Sequence, residues 1–110
     1  MIRTDLIQTI EENQETILNL FKFKNVSYGD EEEAFYNFRQ SAIRIFNDDS
    51  MESQFKVLLT LMDKHLVALA NQGIADIAFE ERLKDIIVYS HIAIAMKEEI
   101  KWSNHILKVE

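Results

Sequence analysis

The sequence predicts an all-α protein, a compact four-helix bundle built by one domain over residues 1–110. Three observations predict it. The chain has no proline and only two glycines, Gly29 and Gly73, too few turn formers for an all-β fold. Apolar residues recur at three- and four-residue spacing along four separate stretches, the period of one helix face. The breaks between these stretches are short, and short connections favour antiparallel neighbours. With 47% hydrophobic and 28% charged residues, the chain can fill a single core without metal or disulfide staples.

The first helix is expected from Asp5 to Phe23, with Thr4 as N-cap. Its face is Ile7, Ile10, Gln14, Ile17 and Phe21. Asn25 to Asp30 breaks the pattern with turn-forming residues. The second helix is expected from Glu31 to Phe46. Glu31, Glu32 and Glu33 would occupy its first turn, where the helix dipole favours acids. Ala34, Phe35, Phe38, Ala42, Ile45 and Phe46 mark its inner face.

Asn47 to Ser50 is the next break, and Asp49 with Glu52 resembles a capping box. The third helix is expected from Met51 to Asn71, with a stripe of Phe55, Leu58, Leu59, Met62, Leu66 and Leu69. Gly73 suits the residue just past its end. Asp76 can cap the fourth helix, which starts near Ile77 and passes Met96. Ser103 and Asn104 are poor helix formers and leave its end open. The buried set expected across the bundle is Phe35, Phe38, Leu58, Leu59, Met62, Ile86 and Ala93. Between Ile86 and Met96 the fourth helix is apolar nearly all round. Such a helix lies at a bundle centre or in a subunit interface, so a homo-oligomer is expected.

Charge narrows the partners. A net charge of −7 opposes binding to nucleic-acid polymers, which depends on Lys and Arg. The amino end carries acids and lacks a continuous apolar core, so it does not read as a signal peptide. No apolar run approaches the ~20 residues that span a bilayer. The expectation is a cytoplasmic protein with no membrane partner. There is no cysteine, which excludes disulfides and thiolate metal sites.

The residues with chemical potential cluster at the start of the fourth helix. Glu81 and Asp85 are one turn apart and share a helix face. Two carboxylates on one face suit Mg²⁺, which takes one or two protein carboxylates plus phosphates and water. Asp63 could add a third acid, and Lys64 beside it could contact a phosphate as a point charge. The structural alternative is a solvated helix start, where charged residues are common. His65, His91 and His105 show no helical metal-ligand spacing. His91, inside the apolar run, reads as a core or interface group. Phe35, Tyr36 and Phe38 could stack on bases, though Phe35 and Phe38 at helical spacing read as core.

Three blocks carry a family resemblance: Val26-Ser27-Tyr28-Gly29-Asp30, Leu61-Met62-Asp63-Lys64-His65, and Glu81 through Tyr89. In this order they resemble the nucleotide-modification-associated small helical proteins of phages and bacteria. Members tend to show a Tyr-Gly pair before a helix, then an Asp-Lys pair. An acid, a second acid four residues on and a Tyr four further on complete the pattern. Asp63 and Lys64 match the second block, and Glu81, Asp85 and Tyr89 match the last. The similarity spans residues 26–96 and rests on short motifs. The family often has an Arg after the Asp-Lys pair, and His65 to Leu69 supplies none. The chain is more distantly similar to the MazG-like all-α nucleoside triphosphate pyrophosphohydrolases. Their earlier Glu-rich motif has no matching register in Glu31-Glu32-Glu33.

The resemblance implies a nucleotide ligand held through Mg²⁺ on Glu81, Asp85 and Asp63, with Lys64, Tyr28 and Tyr89 contacting the nucleotide. It leaves a Mg-dependent pyrophosphohydrolase as one reading. The competing readings are a phage protein that sequesters a nucleotide or blocks a host protein, and a structural oligomeric bundle.

Overall fold

The computed structural model describes the backbone of residues 1–28 and 33–109 and the side chains of 1–23 and 33–104. Among the described residues four α-helices form: α1 (Arg3–Tyr28), α2 (Tyr36–Phe46), α3 (Met51–Gln72) and α4 (Phe79–Val109). No strand occurs among the described residues. The all-α, four-helix expectation holds.

α1 starts before Thr4. The Asp5 carboxylate accepts the Ile2 amide at 3.0 Å, the return bond of a capping box around Ile2, and Thr4 lies inside the helix rather than capping it. At its other end α1 continues through Asn25 to Tyr28. Asn and Ser cost only tenths of a kcal/mol each in a helix, and neither Gly nor Pro interrupts before Gly29. Gly29 to Glu32 lie outside the described residues.

α2 begins at Tyr36, later than Glu31. Glu33 sits ahead of the helix and receives both arms of the Arg39 guanidinium, at 2.6 and 2.9 Å. That bidentate pair ties the entering turn to the helix instead of lengthening it. α2 stops where Asn47 turns left-handed, φ 52°, and donates its amide to the Ile43 carbonyl. Asn is one of the few residues that accept this conformation readily.

The expected Asp49–Glu52 capping box is replaced by Ser50, whose Oγ accepts the Ser53 amide at 3.2 Å. Asp48 accepts hydroxyls from both Ser50 and Ser53 at 2.5 Å. Those bonds, Ser50 first, hold its carboxyl below the usual carboxylate range. Gly73 ends α3 at φ 67°, a backbone that side-chain-bearing residues rarely adopt.

The core is Ile17, Phe38, Ala42, Val57, Leu58, Val88, Tyr89, Ile92 and Met96. Phe35, Phe55, Met62 and Ala93 pack half-buried against it, and Ile86 is also half-buried. Leu59 is 43% exposed, and Ile45, Phe46 and Leu66 face outward too; Ala34 is exposed. The reason is angular. α3 packs against both α2 and α4 and buries Gln54, Val57 and Leu58, and Leu59 and Leu66 lie on neighbouring sectors of the same helix.

The expectation of a compact bundle needs correction. The Cα radius of gyration is 16.5 Å, against roughly 13 Å for a globular chain of this length. Helix lengths explain it: α1 and α4 have 26 and 31 residues, α2 only 11. At 1.5 Å per residue, α1 and α4 run about 39 and 46 Å. The short α2 lies along α3 and meets α1 over only part of its length. α4 is likewise buried on one side only, through Val88, Tyr89, Ile92 and Met96, while Ile87 and Ile94 face outward.

Candidate functional site

The geometry separates two features on α4: a polar seam against α3 and an apolar groove against α1. The seam depends on how α4 starts. A single 3-10 turn, Gly73–Ala75, follows α3. Asp76 then accepts the Ala78 amide at 3.0 Å and the Arg82 Nε at 2.7 Å. The Asp76 side chain is only 1% exposed. The Ala78 amide, helped by the Arg82 guanidinium, holds its carboxyl below the usual range. The short connection folds α4 back along α3, and the Asp76 clamp sets where the helix begins.

One turn after Arg82, the Asp85 carboxylate meets His65 of α3, Oδ2 to Nε2 at 3.4 Å. Both side chains are largely covered, 15% and 12% exposed. The Tyr89 ring stacks on the His65 ring, centroids 6.2 Å apart at 30°. Two expected site residues, Asp85 and Tyr89, therefore converge on a third that the sequence reading left without a role. A signal for it was present. His65 continues the four-three-four progression of Leu58, Met62 and Leu69, whereas the expected stripe placed Leu66 there.

The other expected residues do not join them. Glu81, Asp63 and Lys64 are exposed. Asp63 lines a shallow hollow of about 400 Å³ with Lys56, Leu59, Thr60, Met62 and Leu66. Two residues along a helix is a turn of about 200°, so Asp63 points away when His65 faces α4. The Tyr28 side chain, like that of His105, lies outside the described residues. Among the described residues, no group of three His, Cys, Asp or Glu is placed to hold a metal ion.

The groove runs between α1 and α4 and encloses about 630 Å³. Ile10, Ile17, Leu18 and Phe21 form one wall, and Ile87, Val88, Ile92 and Ala95 the other. Phe35 and Ala34 also line it, and Asn13, Gln14 and His91 add polar atoms. His91, expected in a core or interface, is exposed in the single chain. The groove offers dispersion contacts and apolar burial, with little to bind a charge. Among the described residues no helix is long and apolar enough to cross a membrane. Comparison with protein-family models, curated proteins and solved structures finds no match to this chain.

Proposed function

We propose that this chain is a self-associating helical interaction module whose working face is the groove between α1 and α4. One observation carries the reading: an apolar groove of about 630 Å³ lies open on a chain with a strongly acidic surface. Large open apolar surfaces mark association sites in otherwise soluble folds. The Ile86–Met96 run supports it, since Ile87, which lines the groove, is 41% exposed. Sedimentation equilibrium tests the reading. A mass of two or more chains at micromolar concentration is the expected result. A one-chain mass up to high micromolar concentration would overturn it.

A second reading keeps the nucleotide expectation, because Asp85 and His65, from two separated motif blocks, meet at the α3–α4 seam. Here Mg²⁺ would sit on Glu81 and Asp85, with Lys64 near the phosphates. The protein donor set is short, and Asp85 already faces His65. Phosphate oxygens and water would have to complete the coordination, as they commonly do for Mg²⁺. Calorimetry with a nucleotide panel, with and without Mg²⁺, decides. Asp85→Asn should weaken Mg²⁺-dependent binding about tenfold or more while leaving the helical spectrum unchanged, since the amide keeps the shape and loses the charge. Absence of binding by the unaltered protein to every nucleotide would remove this reading.

A further inference from the structure

We infer that the groove receives α1 of a second copy of this chain, the two α1 helices crossing antiparallel near Gln14. The inference rests on the self-association reading and names the element that associates. Ile7, Ile10, Gln14, Ile17 and Phe21 follow the alternating three-four spacing of a seven-residue repeat. That spacing keeps one straight seam facing a partner helix. Within the chain, only the carboxyl half of this seam meets the core. Ile17 is 6% exposed, whereas Ile7 and Ile10 are 45% and 47% exposed, and Leu6 beside them 49%. The same seam forms one wall of the groove, through Ile10, Gln14, Ile17 and Phe21. α1 therefore carries both the groove wall and an uncovered stripe.

A two-fold axis perpendicular to α1 satisfies both at once. Each α1 lies in the other copy's groove, against α1 and the Ile87–Ala95 side of α4. Such an interface is self-complementary and closes at two copies. Gln14 is the midpoint of the seam that runs from Ile7 to Phe21. At the crossing it meets its own copy, and two amides can donate to and accept from each other. A single polar residue in an apolar seam fixes the register, because slippage buries it against hydrocarbon.

The surface area agrees. The accessible surface of the chain is 8306 Å², against roughly 6,300 Å² for a folded monomer of its mass. The two long, partly uncovered helices account for that excess, and a standard interface takes roughly 800 Å² from each partner. Net charge sets a further signature. Two copies at −7 each repel, so added salt should tighten the pair by screening.

The chain has no cysteine, so single cysteines report proximity cleanly. Under mild oxidation, Gln14→Cys should form a covalent dimer in high yield. Glu12→Cys and Asn19→Cys, on the opposite side of α1, should stay largely uncrosslinked. Ile10→Glu should raise the dissociation constant at least tenfold, whereas Ile94→Glu, outside the groove, should leave it unchanged. Circular dichroism checks that each variant remains folded. Between low and physiological salt, the dissociation constant should fall several-fold. A dimer whose mass survives Ile10→Glu, or whose cross-links form at Glu12 or Asn19 instead of Gln14, would overturn the α1 pairing and leave self-association standing. A purely monomeric chain would remove both.

Discussion

Replacing Leu58 with alanine is expected to destabilise the fold by about 3–5 kcal/mol, whereas Leu59→Ala should cost no more than about 0.5 kcal/mol. Leu58 is 0% exposed and Leu59 43% exposed. Removing a fully enclosed isobutyl group loses its transfer free energy and leaves a cavity that the surrounding helices close only in part. At Leu59 no comparable cavity forms. Leu58 sits where α3 packs against the α2 and α4 sides, among Ala42, Val57 and Val88. The loss should therefore appear as cooperative unfolding of the bundle. Urea titrations followed by circular dichroism compare the two variants directly. Equal losses at both positions would mean that the buried sector of α3 is misassigned.

Asp76 is expected to be the most consequential polar residue. Its buried carboxylate accepts the Ala78 amide and the Arg82 guanidinium, so Asp76→Ala removes a cap and strands Arg82 together. A fall in Tm of about 5–10 °C should follow. The residue should also impose a pH dependence of a definite sign. Its carboxyl is held below the ordinary range, first by the Ala78 amide and then by Arg82. The stabilisation is therefore fully present above about pH 4, the unfolded carboxylate value, and is lost as pH falls below it through the folded value. Asp48, also held low by Ser50 and Ser53, contributes in the same direction. Thermal melts between neutral and acid pH should show a shallower acid loss in Asp76→Ala than in the unaltered protein. An identical acid slope in both would show that Asp76 carries no linkage.

Much of the fold was legible in the order of residues. Period and punctuation placed four helices, the stop at Gly73 and the turn acid Asp76. Phe38, Ala42 and Leu58 were placed inward correctly. What failed was angular or non-local. Leu58 and Leu59 are equally apolar, and only the positions of α2 and α4 decide which is enclosed. The start of α2 was missed because Glu33 spends its carboxylate on Arg39 rather than on a helix turn. The site followed the same rule. Same-helix spacing put Glu81 and Asp85 on one face, but Glu81 is exposed and Asp85 faces His65. An encounter across two helices leaves no mark in the spacing of either one. His65 could be found only by following the Leu58–Met62–Leu69 progression rather than by its chemistry.

The order in which the helices pack has a kinetic consequence. α2, α3 and α4 are consecutive in the chain, and each rests on the one before it. Pairings this local close small loops, which places the chain in the fast-folding range of helical proteins, about microseconds to milliseconds. With no proline, no prolyl isomerisation holds back a slow fraction. α1 stands apart from this sequence. It meets α2 and α4 only lightly, and its amino half gains nothing from the hairpins that form first. On the proposed α1 pairing, the final step of folding is the ordering of that half on the second copy. The rate of this step rises with protein concentration while the earlier collapse of α2, α3 and α4 does not.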